Sequence, residues 1–206
     1  MNSTILEFLI ASVLLTISPG PDIIYVLIIS LRKGFKSGFL LSCGLVSGIL
    51  IHTSLVAFGI SGIIKASENL YLLIKVFGAA YLLYLAYKVY KSPAELSIDY
   101  NVKKQQHHLF VQGFIMNVLN PKVTLFFLAF FPIFLWDIEN NKVFQFYTLG
   151  LLFMLQALVI FGLVAYLCKW LNKVLTTYKN AGLVLKYLQI FVFIFISLYI
   201  LLDHEY

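Results

Sequence analysis

The chain has 206 residues, of which 61% are hydrophobic and 12% charged, with a formal charge of +6 and a mean hydropathy of +0.93. So little polar surface cannot coat a soluble domain of this size, and the chain reads as an integral membrane protein. Its basic residues sit between apolar runs and form no dense patch interleaved with aromatics, which argues against a nucleic-acid partner.

Apolar runs of about 20 residues, the length that crosses a roughly 30 Å hydrocarbon layer, predict six helical spans. The first covers residues 5–31. Its start carries Glu7 and no Lys or Arg before residue 15, so it lacks the basic leader of a cleaved signal peptide and is expected to remain as a span. Midway lies SPGPD, residues 18–22. Pro19 and Pro21 each lack an amide hydrogen and clash with the preceding turn, and Gly20 tolerates unusual backbone angles, so the helix should unwind at 18–20. A second half-helix then starts at Pro21, with Ser18 or Gly20 near its cap and Asp22 where a carboxylate suits a helix N-terminus. Unwound backbone at membrane depth survives only against protein or a wet cavity. A charge in hydrocarbon costs several kcal/mol, with estimates from about 3 to above 10, so Asp22 marks a binding function as well as a cap.

The second predicted span, residues 38–64, carries Gly44 and Gly48 at GxxxG spacing, which lets helix backbones approach within one protomer or between two. A homo-oligomer therefore stays open. His52 lies mid-span, where an imidazole can relay protons or simply bond a neighbouring carbonyl. The third span, residues 69–90, has Lys75 near its start, able to snorkel to the interface, and Tyr84, Tyr87 and Tyr90 near its end, suited to an aromatic belt or to packing. Residues 92–108 hold Pro93, Glu95, Asp99, Lys103, Lys104, His107 and His108 and read as a solvated linker.

The fourth span, residues 109–135, repeats the first span's feature: NPK, residues 120–122, puts a proline break beside an intramembrane charge. Lys122 is either a binding group or a counter-ion to Asp22, and Asn117 and Asn120 either face the same cavity or cap the break at Pro121. The fifth span, residues 143–169, holds Gln156, expected to make an interhelical hydrogen bond. Trp136 and Trp170 fit the interfacial belts, and residues 183–202 form the sixth span. Pro19 or Pro21 matches Pro121 at an offset near 100 residues, and three spans per half make the second half begin on the opposite face. The expected fold is thus an all-α single transmembrane domain, residues 1–206, of two three-helix inverted repeats (1–91 and 109–206) joined by a cytoplasmic linker, with spans one and four broken at proline.

Arg32, Lys33, Lys36, Lys88, Lys91, Lys103, Lys104, Lys169, Lys173, Lys179 and Lys186 fall on one side of this arrangement. Lys65 and Lys142 fall on the other with Glu68, Asp137, Glu139, Asp203 and Glu205. Basic residues collect in the cytoplasm, so both termini are expected outside it. A re-entrant first segment, giving five spans, would put the N-terminus inside.

SPGPD, SGILIHT at 47–53, GAAYLLYLAYK at 78–88 and GFIMNVLNPKVTLFFLAFFP at 113–132 together resemble the lysine exporter (LysE/RhtB) family over most of the chain. The resemblance implies a bacterial cytoplasmic (inner) membrane protein that is not an enzyme and exports an amino acid or close derivative in exchange for protons. It marks Pro19, Gly20, Pro21, Asp22, Asn120, Pro121 and Lys122. With the residue-level reading, Ser18 and Asn117 join this substrate-binding set, and Asp22 and His52 form the proton relay. Alternating access would place the substrate carboxylate near Lys122 and its ammonium at Asp22.

Other classes fit less well. A thiol-disulfide carrier needs two reacting cysteines, and Cys43 and Cys168 both lie away from the proline breaks. No cofactor or metal is expected, because His52, His107, His108 and His204 form no HExxH pattern. A non-transporting scaffold leaves both intramembrane charges unexplained.

Overall fold

The computed structural model describes residues 2–60, 68–93, 108–137, 140–178 and 180–202, and these are helical with short connections. Helix α1 (Asn2–Ile17) stops at the first proline break, and α2 (Pro21–Lys33) restarts at 57° to it. Pro21 takes the first helical turn, where its missing N–H is not needed, and Ile24 N bonds the Gly20 carbonyl at 3.2 Å. Gly34, at φ +84°, turns the chain into α3 (Phe35–Leu55), which continues through a π turn at Val56–Ile60. Helix α4 (Glu68–Lys91) completes the first half.

The second half repeats that order. Helix α5 (Leu109–Val118) breaks before Pro121, and α6 (Pro121–Leu125) restarts at 47°, running on through Phe126–Phe130 and Phe131–Phe134 in π and 3-10 turns. Helices α7 (Lys142–Tyr166), α8 (Cys168–Thr177) and α9 (Ala181–Leu202) follow.

Four stretches, Phe35–Gly59, Leu72–Lys91, Lys142–Tyr166 and Ala181–Leu202, are each long and apolar enough to cross a membrane. Each bent pair adds one more span if its two pieces count together. At 1.5 Å per residue α1 and α2 measure roughly 24 and 20 Å, so neither alone crosses about 30 Å of hydrocarbon. Bends of 57° and 47° leave the second piece still advancing, and we read each pair as one broken span. The all-α membrane architecture, with breaks in its first and fourth apolar segments, agrees with the sequence. The linker falls mostly on residues 94–107, outside the described residues, as do the orienting charges Lys65, Glu139, Lys179, Asp203 and Glu205.

Outward faces confirm the solvent. Helix α9 exposes Val184, Tyr187, Phe191, Leu198 and Leu202, spaced three, four or seven apart, as an apolar face suited to lipid. Tyr84, Tyr87 and Tyr90 are likewise exposed, which settles them on the outer surface and not in the core. Lys75 departs from expectation. It is buried, because it shares one face of α4 with Ala79, Leu82 and Ala86, all turned into the bundle.

The interior is aromatic. Phe8 of α1 meets Phe131 and Phe134 edge-on at 5.4 Å, Phe127 stacks on Phe131 at 4.3 Å, and Phe153 of α7 closes on Phe126 and Phe127. At about 0.5–1.5 kcal/mol per ring pair beyond area burial, these contacts fix α1, α6 and α7 together beneath the breaks. Helices α3 and α5 make the most extensive pairing, and glycine permits it. A Cβ on Gly44 would run into the Phe110 carbonyl, and one on Gly113 into the Leu41 carbonyl. The GxxxG step thus serves a contact inside the protomer.

Two features were not foreseen. The fifth apolar run ends at Tyr166, and α8 is a separate amphipathic helix whose Leu171, Val174 and Leu175 are half-buried while Lys169, Trp170 and Lys173 are exposed, a pattern suited to the membrane interface. Gln145 of α7, 2% exposed, accepts from the amides of Trp136 and Asp137 and donates to the carbonyls of Asp137 and Asn140, tying the turn before α7 to the helix.

Candidate functional site

A proline strips the amide partner from the carbonyl four residues before it. Pro19 does so to Leu15, and Pro121 to Asn117. In each case the other half of the chain supplies a donor. Lys122 Nζ donates to the Leu15 carbonyl at 2.8 Å and to the Ser18 carbonyl at 3.0 Å, closing the open end of α1. His52 Nε2 lies 3.1 Å from the Asn117 carbonyl, at the end of α5, with its ring 5.6 Å from that of Phe127.

A third link joins the restarting helices. Asn120 is the N-cap of α6, its Oδ1 accepting from Lys122 N at 3.0 Å, while its Nδ2 donates to Asp22 Oδ2 at 2.6 Å. The asparagine therefore both caps the break and holds the carboxylate. Asp22 and Lys122 stand close enough for each charge to act on the other, but they do not touch as an ion pair; one is held by Asn120, the other by carbonyls.

Between the breaks lies a small chamber of about 30 Å³, bordered by Thr16, Ser18, Gly20, Asp22, Asn117 and Lys122. Ile49 of α3 and Phe153, Ala157 and Phe161 of α7 wall it. Ser18 Oγ, Asp22 Oδ1 and Asn117 Oδ1 are buried without a hydrogen-bond partner, a costly state for three polar atoms around one cavity. All three can accept. Gly48 makes room for Asn117, since a Cβ there would come within 2.6 Å of its Oδ1. Gln156 of α7 donates to Thr16 Oγ1 at 2.9 Å, the interhelical bond expected of it.

On the other side of Lys122 opens a vestibule of about 320 Å³. Its floor is Gly20, Pro21, Asn120, Pro121 and Lys122, and its walls are Lys88 and Ser92 at the end of α4 and Gln189 and Phe193 of α9. Gly20 and Lys122 border both spaces. The Phe193 ring centre lies 5.8 Å from Lys122 Nζ, a cation–π distance.

Of the residues singled out from sequence, Ser18, Gly20, Asp22, Asn117 and Lys122 converge on the chamber, and Pro21, Asn120 and Pro121 on the vestibule. Pro19 instead faces a wholly apolar groove shared with α7, α8 and α9. His52 stands behind Asn117, on its carbonyl. Sequence reading missed Thr16, Lys88, Ser92 and Gln189, of which only Gln189, alone in an apolar run, left a visible signal.

The LysE type translocator model matches residues 13–204, nearly the whole chain. The chain is 29% identical over 182 residues to an uncharacterised membrane protein of Bacillus subtilis (strain 168), covering 82% of this chain and 87% of that one. It is 30% identical over 131 residues to an uncharacterised membrane protein of Pseudomonas aeruginosa, covering 60% of each. A homoserine/homoserine lactone efflux protein of Salmonella typhimurium (strain LT2) is 28% identical over 144 residues, 69% of each chain. No solved structure gives a significant match. With two proline-broken helices cross-linked around buried polar atoms and a family match spanning both, the chain belongs to the LysE type translocators.

Proposed function

We propose that the chain exports an amino acid or close derivative from a bacterial cytoplasm in exchange for protons, by alternating access around the paired breaks. The observation that carries this is the set of three unpartnered acceptors, Ser18 Oγ, Asp22 Oδ1 and Asn117 Oδ1, around one chamber. Three acceptors match the three donors of a primary ammonium. The chamber is small, about 30 Å³, and its three acceptors suit the ammonium head of an amino acid. The remainder of the substrate lies toward the vestibule, with its carboxylate at Lys122. Homoserine and its lactone, the compounds in one relative's name, both carry the ammonium, which suits recognition centred on that group.

Lys122 acts as the latch between the two spaces. Its bonds to the Leu15 and Ser18 carbonyls hold α1 closed, and a substrate carboxylate competes for the same ammonium. A proton taken by Asp22 removes the charge that holds the substrate ammonium and resets the carrier, with His52 as relay behind Asn117. The two halves work as inverted three-span repeats joined by the linker at 92–108, with both termini outside the cytoplasm and the vestibule opening beside the basic ends of α4 and α9. The test is efflux of a panel of labelled amino acids from proteoliposomes with and without an imposed pH gradient. Export of at least one, accelerated by a gradient that drives protons inward, is expected; no export of any panel member under either condition refutes the reading.

A further inference from the structure

Helix α9 carries three hydrophilic residues on or beside its bundle-facing side, Lys186, Gln189 and Ser197. Two are accounted for by hydrogen bonds. Lys186 Nζ donates to the Ser92 carbonyl at 2.7 Å, closing the end of α4, and Ser197 Oγ donates to the Ala79 carbonyl at 3.1 Å. Gln189 makes no hydrogen bond among the described residues and borders the vestibule opposite Lys88. An amide on a membrane helix normally finds a partner, because leaving it unpaired away from water costs free energy. Gln189 is also well placed: it lies one helical turn before Phe193, whose ring sits against Lys122.

The polar groups of the two spaces differ in kind. The unpartnered atoms of the chamber are acceptors, whereas the vestibule adds the ammonium of Lys88 and the amide of Gln189 to that of Lys122, which borders both spaces. A zwitterion whose ammonium points into the chamber turns its carboxylate to these donors. We propose that Gln189, with Lys88, holds the substrate carboxylate in the vestibule one turn before it reaches Lys122. This is a loading station distinct from the chamber, and it rests on the reading of the chain as an amino-acid exporter. Gln189 contributes an N–H donor at the wall, and Lys88 an attracting charge at the mouth.

The discriminating measurement compares substrates with and without a carboxylate. Uptake by proteoliposomes is measured for homoserine against homoserine lactone, and for every amino acid the wild type moves against its methyl ester. Gln189→Leu should raise the half-saturation concentration of the acids about tenfold, the worth of one charge-assisted hydrogen bond in a half-buried place, and leave the lactone and esters within twofold. Gln189→Glu, which sets a like charge against the carboxylate, should act more strongly on the acids alone. Lys88→Gln, at an exposed position that does not hold the fold together, should raise half-saturation for the acids and weaken its salt dependence. Equal effects on acids and esters, or no effect of either Gln189 variant on the acids, overturn the proposal. Asp22→Asn separates this from failure of the site itself, since it should impair acids and esters alike.

Discussion

Replacing Gly48 with alanine adds one methyl group to the wall behind the chamber. Its Cβ would meet Asn117 Oδ1 at 2.6 Å, Cβ at 2.8 Å and Cγ at 3.0 Å, so the Asn117 side chain must move. The backbone beneath it cannot easily follow, because the Asn117 carbonyl is held by both His52 Nε2 and Asn120 N. Overpacking of this kind costs about 1–3 kcal/mol of stability. Displacing Asn117 Oδ1 also removes one of three acceptors, and a hydrogen bond to a charged group is worth about 1.5–3 kcal/mol, roughly ten- to a hundredfold in substrate affinity. A double-mutant cycle with Asn117→Gly, which removes the clashing Cβ along with the amide, isolates the cause. If Gly48→Ala acts through the Asn117 side chain, adding it to Asn117→Gly should weaken substrate binding by less than twofold more, read by scintillation proximity with a labelled substrate. Fully additive losses would refute the argument and place the effect of Gly48 elsewhere.

Lys122→Met leaves the Leu15 and Ser18 carbonyls without their donor, so thermal unfolding in detergent should show a loss of roughly 3 kcal/mol along with abolished transport; unchanged stability would mean the two bonds contribute nothing net. Gln145→Leu orphans four backbone groups in the turn before α7 and should destabilise by about 3–4 kcal/mol in the same assay, with the half-saturation concentration of the remaining folded protein unchanged. Joint replacement of Cys43 and Cys168 by alanine should leave export within twofold of wild type. A loss beyond tenfold, reversed by restoring both cysteines, would bring back thiol chemistry.

The breaks were legible because proline acts locally: SPGPD and NPK stop a helix whatever surrounds them, and a charge beside each stop has few reasons to lie in hydrocarbon. Long apolar runs gave the span ends within a few residues for the same reason. What joins the halves is not local. Nothing in residues 120–122 says that Lys122 reaches Leu15 or that Asn120 grips Asp22, since those bonds depend on how two distant segments dock. Asp22 and Lys122 act on one another through their charges, while the hydrogen bonds of each go to polar groups exposed at the breaks, a division of partners that the sequence does not show. Helix α8 was missed because its apolar residues merge with the end of α7, and only the spacing of Leu171, Val174 and Leu175 against Lys169 and Lys173 separates them. Lys75 was misplaced because burial depends on which face of α4 turns inward, visible only when Ala79, Leu82 and Ala86 are read with it.

The carboxylate between the two breaks is best tested by Asp22→Asn, which keeps the side chain's shape and its acceptor for Asn120 while removing the charge. Efflux of a transported amino acid from proteoliposomes with an imposed pH gradient should fall by about a hundredfold, the upper range for losing a charged hydrogen bond, and the residual flux should no longer respond to the gradient. Export at the wild-type rate that still follows the gradient would contradict the account at its centre.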